Sequence, residues 1–215
     1  AYYCFCTRER LARLREEQRR RRQDIGYDRH CRNLDPVETA ARVAAGESHV
    51  VRLKMPLEGQ TTFHDLIRGD ITVENSTQDD QVLLKSDGYP TYHLANIIDD
   101  HLMEITHVLR AEEWLSSTPR HIMLYNALGF KPPVFAHLPM ILGPDRSKLS
   151  KRHGATALTE YREQGYLPET MLNFLSLLGW SYDEKTELFT REELVRNFSL
   201  ERVSRTAAIF NKDKL

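Results

Sequence analysis

The sequence has 215 residues, 40% hydrophobic and 28% charged, with a formal net charge of −1. Such a chain can bury one large core or two smaller ones, and its balance does not mark a nucleic-acid-coating protein. No apolar run approaches the ~20 residues of a membrane-spanning helix, and no basic-then-apolar leader opens the chain, so neither a membrane protein nor a secreted one is expected.

The chain begins Ala1-Tyr2-Tyr3-Cys4, without an initiator Met, and ends Asn211-Lys212-Asp213-Lys214-Leu215; both ends are expected to be cuts through a longer protein. Its three cysteines, Cys4, Cys6 and Cys31, are an odd number and suit a reducing cytoplasm better than a disulfide scaffold. Arg8 to Arg22 holds eight arginines against three glutamates, and Thr7–Gln23 reads as a charged helix with Leu11 and Leu14 on one face. Asp35-Pro36-Val37-Glu38 predicts a helix start, with an Asp cap and Pro in the first turn, and Gly46 predicts its stop. Short β-prone runs follow at Val50–Leu53, Thr61–Phe63, Ile71–Val73 and Gln81–Leu84, so residues 1–85 read as a mixed α/β module.

After the turn Ser86-Asp87-Gly88-Tyr89-Pro90 the pattern alternates. Tyr92–Met103 predicts a helix, Glu104–Leu109 a strand, Pro119–Leu128 a helix closed by Gly129, and His137–Leu142 a strand. Such alternation argues for βαβ units and a parallel sheet. Beyond residue 155 only helices are expected: Thr159–Gln164, Pro168–Leu178 and Thr190–Asn197, the last opened by the capping box Thr190-Arg191-Glu192-Glu193.

The sharpest chemical signal is Lys148-Leu149-Ser150-Lys151-Arg152, after the turn Gly143-Pro144-Asp145. Two lysines flanking a serine on a loop can close on a polyphosphate, since ammonium groups are point charges suited to phosphate oxygens. Alone, the same residues read as a solvated basic turn. Tyr92 and Asn96 are four apart and share a helix face. Arg110 falls at the carboxyl end of a predicted strand, where open parallel sheets bind ligands, and its fork can hold a carboxylate bidentately. Asp99-Asp100-His101 reads as a helix cap or solvated turn rather than a metal or general-base group, since adjacent residues on a helix diverge.

Asp87-Gly88-Tyr89-Pro90-Thr91-Tyr92-His93-Leu94-Ala95-Asn96, His107-Val108-Leu109-Arg110-Ala111-Glu112-Glu113-Trp114 and the run from Lys148 to Thr156 together resemble glutamyl-tRNA synthetases of the bacterial and organellar type. The resemblance covers the whole chain, from Tyr2-Tyr3-Cys4-Phe5-Cys6 to Phe174-Leu175-Ser176-Leu177-Leu178-Gly179-Trp180. It implies an α/β fold: the second half of a Rossmann-like class I synthetase catalytic domain (86–155), an inserted acceptor-arm-binding module (1–85) and a following helical domain (156–215). It also implies ATP with Mg²⁺, glutamate and the tRNA acceptor arm as substrates and partners, with no DNA or membrane, and a cytoplasmic location or an organellar matrix.

By that resemblance Tyr92, Asn96 and Arg110 contact glutamate, Lys148, Ser150 and Lys151 act on the ATP phosphates, and Trp114 sits beside the nucleotide. Lys151 would meet the charge developing on the phosphates, Lys148 would assist, and Ser150 would orient the loop. Some family members bind zinc through Cys-x-Cys…Cys-x-His. Here Cys4, Cys6 and Cys31 match the thiols, but Asn33 stands where the histidine would fall, with His30 nearby; a cluster of three reduced thiols is the alternative. The first class I signature, His-x-Gly-His, is absent from the 215 residues. Two other readings stay open: a truncated paralogue that glutamylates a modified tRNA base, and a non-catalytic tRNA-binding module on the same fold.

Overall fold

The computed structural model of the protein describes residues 1–150 and 157–215. The chain divides into two compact units, each drawn from several segments. The first comprises Ala1–Phe63, Thr72–Thr106 and Ser117–Pro133; the second comprises His64–Ile71, His107–Ser116 and Val134–Leu215.

In the first unit, β1 (Tyr2–Cys4) leads into α1 (Arg8–Arg20), capped by the Thr7 hydroxyl, which accepts from the Arg10 N–H. Next comes α2 (Pro36–Ala44), where the Asp35 carboxylate accepts from the N–H groups of Val37 and Glu38. These are two of the donors that a helix start leaves unmatched. β2 (Val50–Arg52) pairs antiparallel with β1 and later with β5. β3 (Gln60–Asp65) and β4 (Gly69–Glu74) bridge the division between the units. On β3 the inward positions are Thr61, Phe63 and Asp65, alternating with exposed ones as a half-buried strand must. β5 (Val82–Leu84) and α3 (Tyr92–Leu102) follow.

Buried Asp80 is the polar centre of this unit. It accepts from Tyr2 Oη at 2.8 Å, from Arg32 Nη1 at 2.7 and 3.0 Å, and from the Met55 N–H at 3.2 Å. A buried carboxylate needs this many donors to offset its lost hydration.

α3 ends in a Schellman turn. The Glu104 N–H donates to His101 O and the Ile105 N–H to Asp100 O, with Glu104 itself at φ 55°. The expected strand at Glu104–Leu109 therefore starts later, as β6 (His107–Ala111) in the second unit. α4 (Thr118–Leu128) belongs to the first unit and closes at Gly129, φ 70°.

A four-stranded sheet has the order β4-β3-β7-β6; β6, β7, the end of β3 and the start of β4 belong to the second unit. β7 (Val134–Leu138) runs parallel to β6 over its whole length, from His107↔Val134 to Ala111↔Leu138, and Asp65 of β3 pairs with Phe135. The expected strand at His137–Leu142 is divided. It starts earlier, at Val134, breaks at Pro139, which has no N–H to give, and resumes as β8 (Ile141–Leu142).

Further along the chain, α5 (Leu158–Glu163), α6 (Pro168–Ser176) and α7 (Arg191–Asn197) take the expected helical positions. The expectation of helices alone fails at β9 (Ala208–Ile209), which pairs parallel with β8. One core cluster gathers Ile67, Ala136, Trp180, Leu194 and Val203, and another gathers Tyr161, Met171, Phe174 and Phe210. Gly179 is needed between them. Its φ is 86°, and a Cβ there would lie 2.9 Å from the Pro139 ring.

Candidate active site

In the first unit the turn before α3 is set by Gly88 at φ 82° and by Asp87, whose carboxylate accepts from the Tyr89 N–H. Thr91 ties the helix start back to β5, its hydroxyl donating to Val82 O and its N–H to Leu83 O. Ile97 is fully buried and His93 Nδ1 lies 2.9 Å from His121 Nε2, so the rotation of α3 is fixed. This leaves Tyr92 exposed, edge-on to the His93 ring, with Asn96 one turn later on the same face. Asn96 Oδ1 is buried and has no hydrogen-bond partner among the described residues. A buried carboxamide oxygen in that state calls for a donor that the described residues do not supply.

In the second unit Arg110 is the fourth of the five residues of β6 and half-buried. Its guanidinium carbon lies 5.8 Å from the Trp114 ring centroid and 5.4 Å from that of Phe135. Arg110 Nε donates to His137 Nε2 at 3.1 Å. On the other edge of that imidazole, Nδ1 lies 2.6 Å from Asp65 Oδ2. His137 and Asp65 are both fully buried. Burial lowers the His137 pKa, and the nearby charges of Arg110 and Arg68 act the same way, against the opposing pull of Asp65. Neither Asp65 nor His137 stands out as a functional residue in the sequence. The available signal was an aspartate at the inward end of a strand, just before Leu66-Ile67-Arg68-Gly69.

Trp114 lies in the short 3-10 segment Glu112–Ser117 that continues from β6. Glu112 is held there by Arg68 and by the Met140 N–H at 3.1 Å. Lys148 follows a tight turn in which Gly143 N–H donates to Ser147 O, Arg146 takes φ 60° and Leu149 N–H returns to Ile141 O. Its ammonium donates to Glu113 Oε2 at 2.6 Å. Ser150 is exposed at the end of this turn, and Lys151 lies outside the described residues. The second unit thus holds Arg110, Trp114 and Lys148 on neighbouring pieces of chain, while Tyr92 and Asn96 belong to the first.

Cys4, Cys6 and Cys31 offer sulfurs that all lie within 4.8 Å of one another. Cys6 Sγ and Cys31 Sγ are 3.6 Å apart, close to the spacing of two thiolates that share a tetrahedral ion at ~2.3 Å. Neither His30 nor Asn33 joins them; both are exposed. The group nearest a fourth corner is the Tyr27 hydroxyl, 3.2 Å from Cys4 Sγ and 3.5 Å from Cys6 Sγ. Burial, the facing Cys31 thiol and the neighbouring sulfurs push the Cys6 thiol up to about 12. Burial opposes ionisation of Cys4, yet Tyr27, the Cys6 N–H and Arg52 together bring it below the ordinary thiol range. The arginine-rich α1 buries no residue. Its exposed flank carries the pairs Arg20–Glu16 and Arg21–Glu17, while Arg10 is joined to Asp28.

No described helix is long and apolar enough to cross a membrane. Residues 1–215 match the family model for tRNA synthetases class I (E and Q), catalytic domain. The glutamate–tRNA ligase of Dehalococcoides mccartyi strain 195 is 65% identical over all of this chain, and that of Borrelia duttonii strain Ly is 53% identical over all of it. The chain spans 43% of the length of each. The crystal structure of the glutamate-tRNA synthetase from Elizabethkingia anophelis superposes on 99% of this chain with a TM-score of 0.89 at 40% identity, and the chain covers 48% of it. With a family match over every residue and a shared fold, the chain belongs to the catalytic-domain family of the class I tRNA synthetases for glutamate and glutamine.

Proposed function

We propose that the protein carrying this chain ligates glutamate to tRNA at the expense of ATP. The observation that carries the reading is Arg110: a guanidinium at the carboxyl edge of a parallel sheet, clamped from within the fold, is built to receive a carboxylate. The names of the D. mccartyi and B. duttonii relatives support it.

In the first step a carboxylate oxygen of glutamate attacks the α-phosphorus of ATP. A new P–O bond forms, the bond to the bridging oxygen of pyrophosphate breaks, and glutamyl-adenylate remains. No protein base is needed, because the carboxylate is already ionised. In the second step a terminal ribose hydroxyl of tRNA attacks the acyl carbon and AMP departs. Such chemistry depends on positioning and on stabilising charge. Arg110 holds a substrate carboxylate, the orphaned Asn96 Oδ1 takes an ammonium N–H, and Tyr92 adds a further contact to the amino acid. Lys148 and Lys151 serve the phosphates, with Ser150 orienting their loop, Trp114 beside the nucleotide, and Mg²⁺ accompanying ATP. Residues 1–85 are the acceptor-arm module, with the arginines of α1 toward tRNA phosphates. Residues 86–155 are the catalytic half-domain and residues 156–215 a helical contact domain. The three cysteines, with Tyr27 as fourth donor, would hold a structural zinc that ties β1 to the segment before α2. A reducing compartment such as the cytoplasm suits those thiols.

The test is ATP–pyrophosphate exchange by the full-length protein with tRNA present, using glutamate, glutamine and aspartate in turn. Glutamate-specific exchange that collapses in Arg110→Ala through the glutamate KM is expected. Exchange with glutamine alone, or an unchanged glutamate KM in the folded variant, overturns the reading.

A further inference from the structure

Arg110 does not reach its place unaided. Behind it stand two fully buried polar side chains, and a buried aspartate and histidine are costly to keep unless every hydrogen bond is matched. Here they are matched. Asp65 Oδ1 accepts the N–H groups of Ile67 and Arg68, each at 3.0 Å, which bends the chain after β3. Asp65 Oδ2 accepts the His137 backbone N–H at 3.0 Å and faces His137 Nδ1 at 2.6 Å. The strand register makes this contact, because Asp65 is paired with Phe135, two residues before His137 on the same face of β7.

The ring's protonation then follows from its two partners. An arginine has only donors, so the nitrogen that receives Arg110 Nε must be the bare one. The proton belongs on Nδ1, directed at an oxygen that can only accept. The neutral Nδ1–H form satisfies both ends, whereas the Nε2–H form would set two N–H groups against each other. A guanidinium is planar, so holding Nε fixes the plane in which its two terminal nitrogens lie. Arg68, joined to Glu112, also donates to His137 O at 3.2 Å and holds the same stretch of β7 from the side.

We propose that Asp65 and His137 are positioning residues for amino-acid binding: Asp65 selects the Nδ1–H tautomer of His137, and His137 Nε2 sets the plane of the Arg110 guanidinium. This rests on the reading of Arg110 as the carboxylate clamp, and the experiment separates the two. Full-length protein is assayed by ATP–pyrophosphate exchange with tRNA, glutamate and ATP being varied independently. His137→Phe keeps a flat ring and removes the acceptor, while His137→Gln returns an oxygen near the place of Nε2.

The hydrogen bond at stake is charge-assisted, so His137→Phe should raise the glutamate KM ~10-fold or more with the ATP KM unchanged. His137→Gln should recover most of that loss. In the Arg110→Ala background His137→Phe should add nothing, since it acts only through Arg110. A glutamate KM unchanged in His137→Phe, or glutamate and ATP KM values that rise together, overturns the positioning role while leaving the Arg110 reading intact. An Arg110→Ala protein with normal glutamate KM sinks the clamp itself and the proposal with it. Should the variants not fold, ¹⁵N NMR of the unmodified protein labelled at histidine decides. A bare Nε2 and protonated Nδ1 at His137 sustain the proposal, and a protonated Nε2 ends it.

Discussion

Lys148 Nζ donates to Glu113 Oε2 at 2.6 Å, so the first lysine of the loop already has an anionic partner next to Trp114. Both side chains are well exposed, and such a pair contributes about 0.2–1 kcal/mol. A phosphate that recruits Lys148 has to displace that carboxylate. Glu113→Gln is therefore expected to lower the ATP KM by up to ~5-fold at low salt, with an effect that fades as ionic strength rises. Thermal stability should stay within about 1 kcal/mol of the parent. ATP titrations at two salt concentrations check it; a raised ATP KM would show that Glu113 helps to hold the nucleotide.

Lys151, three residues further along the sequence and outside the described residues, is expected to act later along the reaction. If its ammonium meets negative charge mainly in the transition state, Lys151→Ala should lower kcat for adenylate formation by ~10²–10³ while the ATP KM changes far less. Glutamate affinity should be nearly untouched. An unaffected exchange rate in the folded variant would leave the loop a basic surface turn.

Cys4, Cys6, Cys31 and the Tyr27 hydroxyl should bind one zinc per chain, readable by metal analysis of protein purified without chelator. Binding must displace the proton of Cys6, whose thiol stands at about 12, so chelator should strip the metal faster as pH falls. Cys31→Ser should lose the metal and lower the melting temperature. Tyr27→Phe should weaken the site without abolishing it, since three thiolates remain. Metal-free protein with unchanged stability would reduce the cluster to packed thiols.

Removal of the Asp80 carboxylate should be among the most damaging single changes in the first unit. Asp80→Ala would strand the nearly buried Arg32 guanidinium and take away the acceptor of Tyr2 Oη and the Met55 N–H. Breaking one side of a buried ion pair costs about 3–5 kcal/mol. Asp80→Asn, which keeps an oxygen, should cost less. Chemical denaturation of the two variants against the parent gives the ordering, and equal midpoints would mean the pair is dispensable.

What could be read from the sequence was what is local. Asp35 and Thr190 announce helix starts because a cap bonds to N–H groups two or three residues away. Tyr92 and Asn96 stand out because one turn of helix aligns them. The strand after α3 starts later than expected because Glu104 takes a left-handed conformation that glycine usually marks, and Glu104 and Ile105 still bond back to the helix. β9 was missed because two residues make a strand only when β8 is alongside. Asp65 and His137 were missed for the same reason in sharper form. Nothing in their spacing joins them, and the contact exists only once β3 and β7 are in register. The three cysteines were visible as a group, whereas Tyr27 gains its place from the packing of the chain before α2 against β1.

The buried imidazole should also leave a mark on acid stability. In the folded protein His137 faces Asp65 on one side, Arg110 on the other and Arg68 nearby. Burial leads the causes that bring its pKa below the ordinary value of 6.5, with the two guanidinium charges adding to it and Asp65 opposing. The unfolded chain therefore binds a proton at this residue that the folded chain refuses, from about pH 6.5 down to the depressed folded value. Stability rises with pH wherever the unfolded state holds more protons. The contribution is thus fully present above about pH 6.5 and is lost as pH falls through that window, at up to ~1.4 kcal/mol per pH unit for one proton. His137→Gln, which cannot titrate, should be less stable than the parent at pH 8 and should lose less on acidification. The two stability-against-pH curves should converge below pH 6.5. Denaturation midpoints at half-unit steps from pH 5 to 8 test this. Parallel curves would mean that folding leaves the His137 pKa where it stands in the unfolded chain, and the depression ascribed to burial and to the Arg110 and Arg68 charges would have to be abandoned.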